Sequence, residues 1–267
     1  MTLLTADAGG VFAIAPTAFD DGGRIDLASM QRLTDFYAHV GCTGITVLGI
    51  MGEAPKLEMA EAVQVAKSVI DRFPNSVIVG VSAAGFASMR QLAREAMDMG
   101  AAAVMIAPPA SLKTDDQIVT YYEQAVEAIG SGIPFVIQDY PLVTGVVMTP
   151  SVIKRIVASH PSCVMLKHED WPGLEKISTL RSFERDGSMH PISILCGNGG
   201  LFLDFEMERG ADGAMTGYAF PDMLVDVVRL SRANQREAAH DLFDAHLPLL
   251  RYEQQPVIGL AVRKYIL

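Results

Sequence analysis

One lysine stands where the chain changes from an apolar run to a polar turn. Residues 163–166 are four consecutive apolar residues, and Lys167 follows them directly. A short apolar run bounded by turn residues such as Pro172 and Gly173 is typical of a strand buried on both faces. Lys167 therefore either merely reaches water from a strand end, or is a partly desolvated amine. Desolvation lowers the pKa of a lysine, which is what Schiff-base chemistry requires.

Other apolar runs also end in segments that suit a ligand site. Residues 49–53 contain glycines three positions apart, and such glycines allow backbone amides to turn toward a small anion. Residues 138–145 combine polar groups with turn-forming proline and glycine, and residues 197–200 are rich in glycine. Each segment alone is equally compatible with an ordinary strand-to-helix turn, so the three matter only if the fold brings them together.

The order of apolar and amphipathic segments predicts how these positions are arranged. Eight short apolar runs alternate with segments of helical spacing, and this alternation favours a parallel sheet closed into an α/β barrel. In such a barrel the carboxyl ends of all strands share one mouth. The predicted fold is a TIM (β/α)8 barrel over residues 1–220. The predicted strands are residues 11–16, 44–48, 77–81, 103–106, 134–138, 163–166, 192–196 and 214–216.

After Pro221 the alternation stops. The remaining chain has three segments of helical spacing, residues 223–233, 236–249 and 257–266, with no apolar strand between them. We therefore expect residues 221–267 to form a short C-terminal helical extension packed on the barrel.

Composition limits the classes of function. The formal net charge of the 267 residues is −10, so there is no basic footprint for nucleic acid. Three scattered cysteines without a C-x-x-C pair indicate reduced thiols, and the N-terminal residues lack the pattern of an export signal. No apolar run is long enough to span a membrane. A cytoplasmic protein without membrane or nucleic-acid partners is expected.

Taken together, these segments resemble the dihydrodipicolinate synthase and N-acetylneuraminate lyase family of class I aldolases. The resemblance covers nearly the whole chain and rests on residues that occur in the family's order: Gly49, Gly52 and Glu53, then Tyr140, Pro141, Thr144 and Gly145, then Lys167 and Gly197. It implies that Lys167 forms an imine with pyruvate or another 2-oxo acid, without a metal or an organic cofactor. It also implies a homo-oligomer, either a dimer or a tetramer.

The same resemblance implies a set of substrate contacts. The substrate carboxylate is expected on the backbone amides of Ile50 and Met51, where the family has threonines. Thr144, Gly197 and Met215 are the other expected substrate-binding residues. Glu53 is expected to hold loop backbone rather than to take part in catalysis.

The residues that would move protons depart from the family pattern. Gln138 occupies the position of the family's catalytic tyrosine, and an amide is neither an acid nor a base near neutral pH. His168, Tyr140, Glu169 or a bound water are the alternatives, although a residue next to Lys167 on a strand points to the opposite face.

Further departures bear on the substrate. Val143 stands where the synthase branch has an arginine, and Pro109 and Ala110 replace its tyrosine pair. The sequence therefore predicts an aldolase or dehydratase acting on a 2-oxo (sugar) acid. Dihydrodipicolinate synthase proper, a non-catalytic 2-oxo acid binding barrel and a phosphate-handling barrel are the alternatives.

Overall fold

The computed structural model describes residues 2–171 and 173–267, and its centre is a closed barrel of eight parallel strands. Each strand pairs with its sequence neighbours, and β8 pairs with β1. The predicted TIM barrel is therefore confirmed, while Pro172, predicted to mark a turn, lies outside the described residues. The strands are β1 (Gly10–Ile14), β2 (Gly44–Val47), β3 (Ser76–Gly80), β4 (Ala103–Ile106), β5 (Phe135–Asp139), β6 (Cys163–His168), β7 (Ser193–Cys196) and β8 (Gly213–Thr216).

Helices surround this barrel and continue beyond its last strand. They are α1 (Leu27–His39), α2 (Met59–Ile70), α3 (Phe86–Asp98), α4 (Asp115–Ile129), α5 (Pro141–Thr144), α6 (Pro150–Ser159), α7 (Leu174–Arg185), α8 (Leu203–Glu208), α9 (Pro221–Arg232), α10 (Arg236–Glu253) and α11 (Gly259–Ile266). Short 3-10 turns cover Ile50–Gly52, Ala54–Lys56 and Asn198–Gly200.

Two apolar layers hold the barrel together, one inside the strands and one between strands and helices. Alternate strand residues contribute to each layer, because successive side chains of a strand point to opposite faces. The inner layer includes Phe12, Ile14, Ile78, Met105, Val136, Met165, Leu195 and Met215. The outer layer is larger and buries the apolar faces of the helices against the strands. Burial on both faces explains why the strands read as continuous apolar runs in the sequence.

A β-bulge interrupts the alternation in β6. Phe135 pairs with Cys163, but Val136 pairs with Met165, so Val164 is an extra residue in the ladder between β5 and β6. Val164 and Met165 both belong to the inner layer, whereas Cys163 belongs to the outer layer. The bulge therefore reverses the facing of every β6 residue that follows it.

The structure differs from the predicted elements at two places near the mouth of the barrel. The second helix begins at Met59 rather than at residue 56, because Glu58 and Glu61 form a capping box there and residues 54–56 form a 3-10 turn. The one-turn helix α5 was not predicted. Pro141 begins it and Gly145, in the left-handed conformation, ends it.

The C-terminal helices cover one side of the barrel. Helix α9 packs against β1, β8 and α8, and α10 packs on α9 and α11. The division of the chain at residues 220 and 221 stays a prediction. Among the described residues, no helix is both long enough and apolar enough to cross a membrane.

Candidate active site

Three polar side chains meet inside the barrel at the carboxyl ends of β5 and β6. The Lys167 Nζ lies 3.0 Å from Glu169 Oε1, and the same oxygen accepts a hydrogen bond of 2.8 Å from Gln138 Nε2. All three residues are buried, with at most 5% of their surface exposed. The arrangement is an amine, a carboxylate and an amide in a compact cluster enclosed by the protein.

The register of the two strands creates this cluster. Gln138 pairs with Lys167 across the β5–β6 ladder, and Glu169 N donates to the Asp139 carbonyl, so the pairing continues one residue past β6. Lys167 and Glu169 are two positions apart and therefore share a face. That face is the inner one because of the bulge at Val164.

Loop residues after β7 hold the Glu169 carboxylate from its other side. The Asn198 backbone N–H donates to Glu169 Oε2 over 3.2 Å. Gly197 lies against the Glu169 side chain, and a Cβ at this position would come within 2.2 Å of Glu169 Cγ. Only glycine fits here, so Gly197 shapes the cluster by leaving room for the carboxylate.

The turn after β2 presents two unpaired backbone donors. Within the described chain, neither the Ile50 N–H nor the Met51 N–H donates to a backbone or side-chain acceptor. Ile50 is exposed at the start of the turn, while the Met51 side chain packs against the inner apolar layer. Glu53 forms ion pairs with Lys56 and with Lys264 of α11, so it ties this turn to the C-terminal extension.

The segment between β5 and α5 provides the phenol of Tyr140 near the cluster. Burial raises the pKa of Tyr140 to about 12, and the Glu169 charge adds to this increase, so the phenol stays protonated at neutral pH. Thr144 has its hydroxyl engaged in α5, because its Oγ1 donates to the Tyr140 carbonyl and accepts from Val146 N–H. Met215 lies in the inner apolar layer of β8.

The structure places His168 on the outer face of β6, away from Lys167. It is fully buried, with Nδ1 3.9 Å from Asp139 Oδ2 and Nε2 3.7 Å from Glu206 Oε1. Neither ring nitrogen has a hydrogen-bond partner within the described part of the protein. The Asp139 carboxylate instead pairs with Lys176 Nζ at 2.7 Å. Gln138, Lys167 and Tyr140 are thus brought together, and His168 is separated from them by the strand.

One buried cation at the mouth was not predicted from the sequence. Arg263 of α11 is 1% exposed and pairs with the equally buried Glu253, with Nε 2.5 Å from Oε2. Arg263 is 96 positions from Lys167 in a segment predicted only to be helical, and no local pattern marks it. Within residues 2–171 and 173–267, no group of three His, Cys, Asp or Glu side chains is arranged to hold a metal ion.

Comparisons with known proteins agree with this architecture. The family model for the dihydrodipicolinate synthetase family matches residues 7–256. A solved structure described as dihydrodipicolinate synthase from Rhodopseudomonas palustris is 69% identical, with a TM-score of 0.98, and the match covers 100% of this chain and 89% of that one.

Two curated relatives carry different names. An L-2-keto-3-deoxyarabonate dehydratase from Azospirillum brasilense is 28% identical over 92% of this chain and 80% of its own length. A 4-hydroxy-tetrahydrodipicolinate synthase from Geobacter metallireducens is 29% identical over 91% of this chain and 81% of its own length. The relatives thus include both a dehydratase and a synthase. With its closed barrel and an enclosed lysine at the end of β6, the chain belongs to the dihydrodipicolinate synthetase family and is an enzyme of the family's Schiff-base lyase type.

Proposed function

We propose that this enzyme acts on a 2-oxo acid through an imine on Lys167, with Glu169 as the acid–base group. The observation that carries the proposal is the 3.0 Å contact between Lys167 Nζ and Glu169 Oε1 on the inner face of β6. A Schiff-base lysine must lose a proton before it attacks a ketone, and a carboxylate in contact with the amine is placed to accept that proton.

Imine formation follows from this proton transfer. Glu169 takes a proton from the Lys167 ammonium, and the neutral amine attacks C2 of the 2-oxo acid. The carbonyl oxygen leaves as water with one proton from the attacking nitrogen and one from Glu169. A protonated imine remains, and Glu169 is again a carboxylate.

Gln138 and Tyr140 serve this pair in different ways. The Gln138 amide holds Glu169 Oε1 toward the amine and cannot itself exchange a proton. Tyr140, with a pKa of about 12, acts as a hydrogen-bond donor rather than as a base. We assign no catalytic role to His168, because the strand separates it from the amine.

Placement of the single base next to the imine favours dehydration of a 2-oxo-3-deoxy sugar acid. C3 of the imine is bonded directly to C2, so its protons lie close to the base that served the nitrogen. Glu169 removes a C3 proton, the resulting enamine expels the C4 hydroxyl, and the proton on Glu169 leaves with it as water. The name of the Azospirillum relative supports this reaction class.

Dihydrodipicolinate synthase activity is the second candidate, because the 69% identical Rhodopseudomonas structure carries that description. It requires recognition of a second carboxylate after condensation. Val143, at the position where an arginine is expected, is an exposed apolar residue of α5 and provides no cation. For this reason we rank it below dehydration. A homo-oligomer in the cytoplasm is the proposed setting for either reaction.

Borohydride trapping followed by peptide mass mapping tests the proposal. We expect pyruvate and a C5 2-oxo-3-deoxy sugar acid each to leave a reduced adduct on Lys167, and the sugar acid alone to be turned over. Lys167→Met should lose both the adduct and the turnover by at least about 10³-fold. Lys67→Met, which removes an exposed lysine from α2, is the matched control and should behave as wild type.

The outcomes separate the candidates. Turnover only when pyruvate is combined with aspartate semialdehyde would favour the synthase. A Lys167 adduct without turnover of any substrate would indicate a barrel that binds 2-oxo acids without catalysis. An enzyme that forms no adduct with any 2-oxo acid would contradict the proposal.

A further inference from the structure

The buried Arg263–Glu253 pair lies at the mouth of the barrel, and the chemistry above makes no use of it. Helix α11 carries Arg263, and Glu253 ends α10. Glu253 is anchored on the barrel side, since its Oε1 accepts the Ala219 N–H over 3.1 Å in the loop after β8. The pair therefore connects the C-terminal extension to the same end of the barrel that holds Lys167.

The guanidinium of Arg263 lies between the loops after β2 and β8. Its Nη1 contacts the Sδ of Met51, whose side chain packs on the inner apolar layer. The same nitrogen lies above Gly217, where a Cβ would come within 2.4 Å of it. Glycine at this position lets the cation approach the barrel interior.

The hydrogen-bonding capacity of Arg263 is mostly unused. A guanidinium has five N–H donors, and buried donors are normally satisfied. The Nε donates to Glu253, and among the described residues the only partner of Nη1 is a thioether, which is a weak acceptor. Throughout residues 2–171 and 173–267, Nη2 has no acceptor. A cation that is 99% buried thus keeps donors free at the mouth.

Two further observations indicate what those donors face. The backbone N–H groups of Ile50 and Met51, in the turn whose Met51 side chain contacts the guanidinium, also lack acceptors within the described chain. Met51, which Arg263 contacts, packs on the inner apolar layer that contains Met165, two residues before Lys167 on β6, and Arg263 and Glu169 shift the pKa of the same Tyr140 phenol in opposite directions. Free N–H donors and a cation at the end of the barrel that holds Lys167 suit an anion.

We propose that Arg263 binds the C1 carboxylate of the 2-oxo acid, together with the amides of Ile50 and Met51. This inference rests on the function proposed above and adds the residue that selects for a charged substrate. In a 2-oxo acid the carboxylate is bonded directly to the carbon that Lys167 attacks. The planar fork of a guanidinium suits a carboxylate, and its charge strengthens the hydrogen bonds.

Comparing a charged ketone with its neutral ester isolates this role. Borohydride trapping on Lys167 is measured against the concentration of pyruvate and of methyl pyruvate, for wild type and for the Arg263→Met/Glu253→Gln double variant. The double change avoids leaving Glu253 as an uncompensated buried charge. We expect the half-saturating pyruvate concentration to rise about 10- to 100-fold, as for a lost hydrogen bond to a charged group, while that of methyl pyruvate changes less than about 3-fold.

Arg251→Met removes a cation from the exposed side of the same helical extension and is the control, expected to match wild type for both ketones. Equal changes for pyruvate and its ester would show a merely structural role for Arg263 and overturn the inference. No change for either ketone would overturn it as well. In both cases a wild-type adduct on Lys167 leaves the proposed function intact, whereas an enzyme that forms no adduct overturns both.

Discussion

Two lysines are buried on opposite faces of the same pair of strands, and their surroundings differ in one respect. On the outer face, Lys176 Nζ lies between two carboxylates, 2.7 Å from Asp139 and 2.6 Å from Asp170. On the inner face, Lys167 Nζ pairs, in the described part of the chain, with the single carboxylate of Glu169, which also accepts from Gln138 and Asn198. The outer amine is paired with two carboxylates, whereas the inner amine shares one carboxylate with two other donors.

This contrast shows that burial beside an acid does not by itself make a reactive lysine. An amine between two carboxylates is a fixed part of an ion network, because losing its proton would leave two uncompensated charges. An amine with one shared carboxylate has a partner that can take its proton and then return it. The following predictions test whether the inner cluster takes part in catalysis while the outer cluster only stabilises the fold.

The largest effect is expected from Glu169→Gln on the inner face. An amide keeps the shape of the carboxylate and one acceptor oxygen but exchanges no proton, so kcat should fall about 10²- to 10⁴-fold. Steady-state rates and the yield of trapped adduct measure this loss. Asp139→Asn, one residue beyond Gln138 on the outer face, is the control and should retain activity per folded molecule. Equal catalytic losses in the two variants would remove the distinction between the faces.

Lys176→Met should instead affect stability. It leaves Asp139 buried without its cation, and breaking a buried ion pair in this way costs about 3–5 kcal/mol of unfolding free energy. Urea unfolding measures the loss, and adduct formation on Lys167 by the folded fraction should persist. Adding Asp139→Asn should recover part of the stability. A Lys176→Met protein that is stable but forms no adduct would show that the outer lysine takes part in the chemistry.

The smallest expected effect is on the pH dependence of the unfolding free energy. It concerns Glu206, which faces His168, Cys196 and Asp204 on the outer side. Burial raises the pKa of Glu206 above its ordinary value of 4.5, and the nearby His168 opposes this only in part. The folded state therefore holds this proton more tightly than the unfolded state. Its stabilising contribution is complete below pH 4.5 and is lost as the pH rises through the raised pKa.

Glu206→Gln should remove this contribution, so that the unfolding free energy declines less between pH 4.5 and pH 8. Urea titrations at several pH values measure the slope. Glu175→Gln, an exposed change on α7, should leave the slope unchanged. A Glu206→Gln slope equal to that of wild type would mean that this carboxyl does not titrate differently on folding.

The fold and the position of Lys167 follow from short-range features of the sequence. Apolar runs that end in turns marked the strands, and Lys167 directly after such a run pointed to the mouth of a barrel. The alternation of side chains along a strand also indicated that a residue next to Lys167 points to the opposite face. These are local properties, which a sequence displays directly.

The rest of the site depends on long-range packing. The sequence does not show that Val164 is an extra residue, since a bulge is defined by the partner strand. It does not show that α11 returns Arg263 to the loop after β2, because helical periodicity gives no direction in space. The choice between His168 and Glu169 also needed the register between β5 and β6.

Because of the bulge at Val164, the proposed chemistry depends on which face of β6 each side chain occupies as well as on residue type. If Val164 paired as an ordinary strand residue, the same sequence would carry the amine toward the helices and turn an imidazole into the barrel. The identity of every side chain would be preserved, yet the nucleophile would be exchanged for a histidine. The pairing at Val164 thus has a consequence that no substitution of the later residues matches: it decides which of two neighbouring side chains meets the substrate.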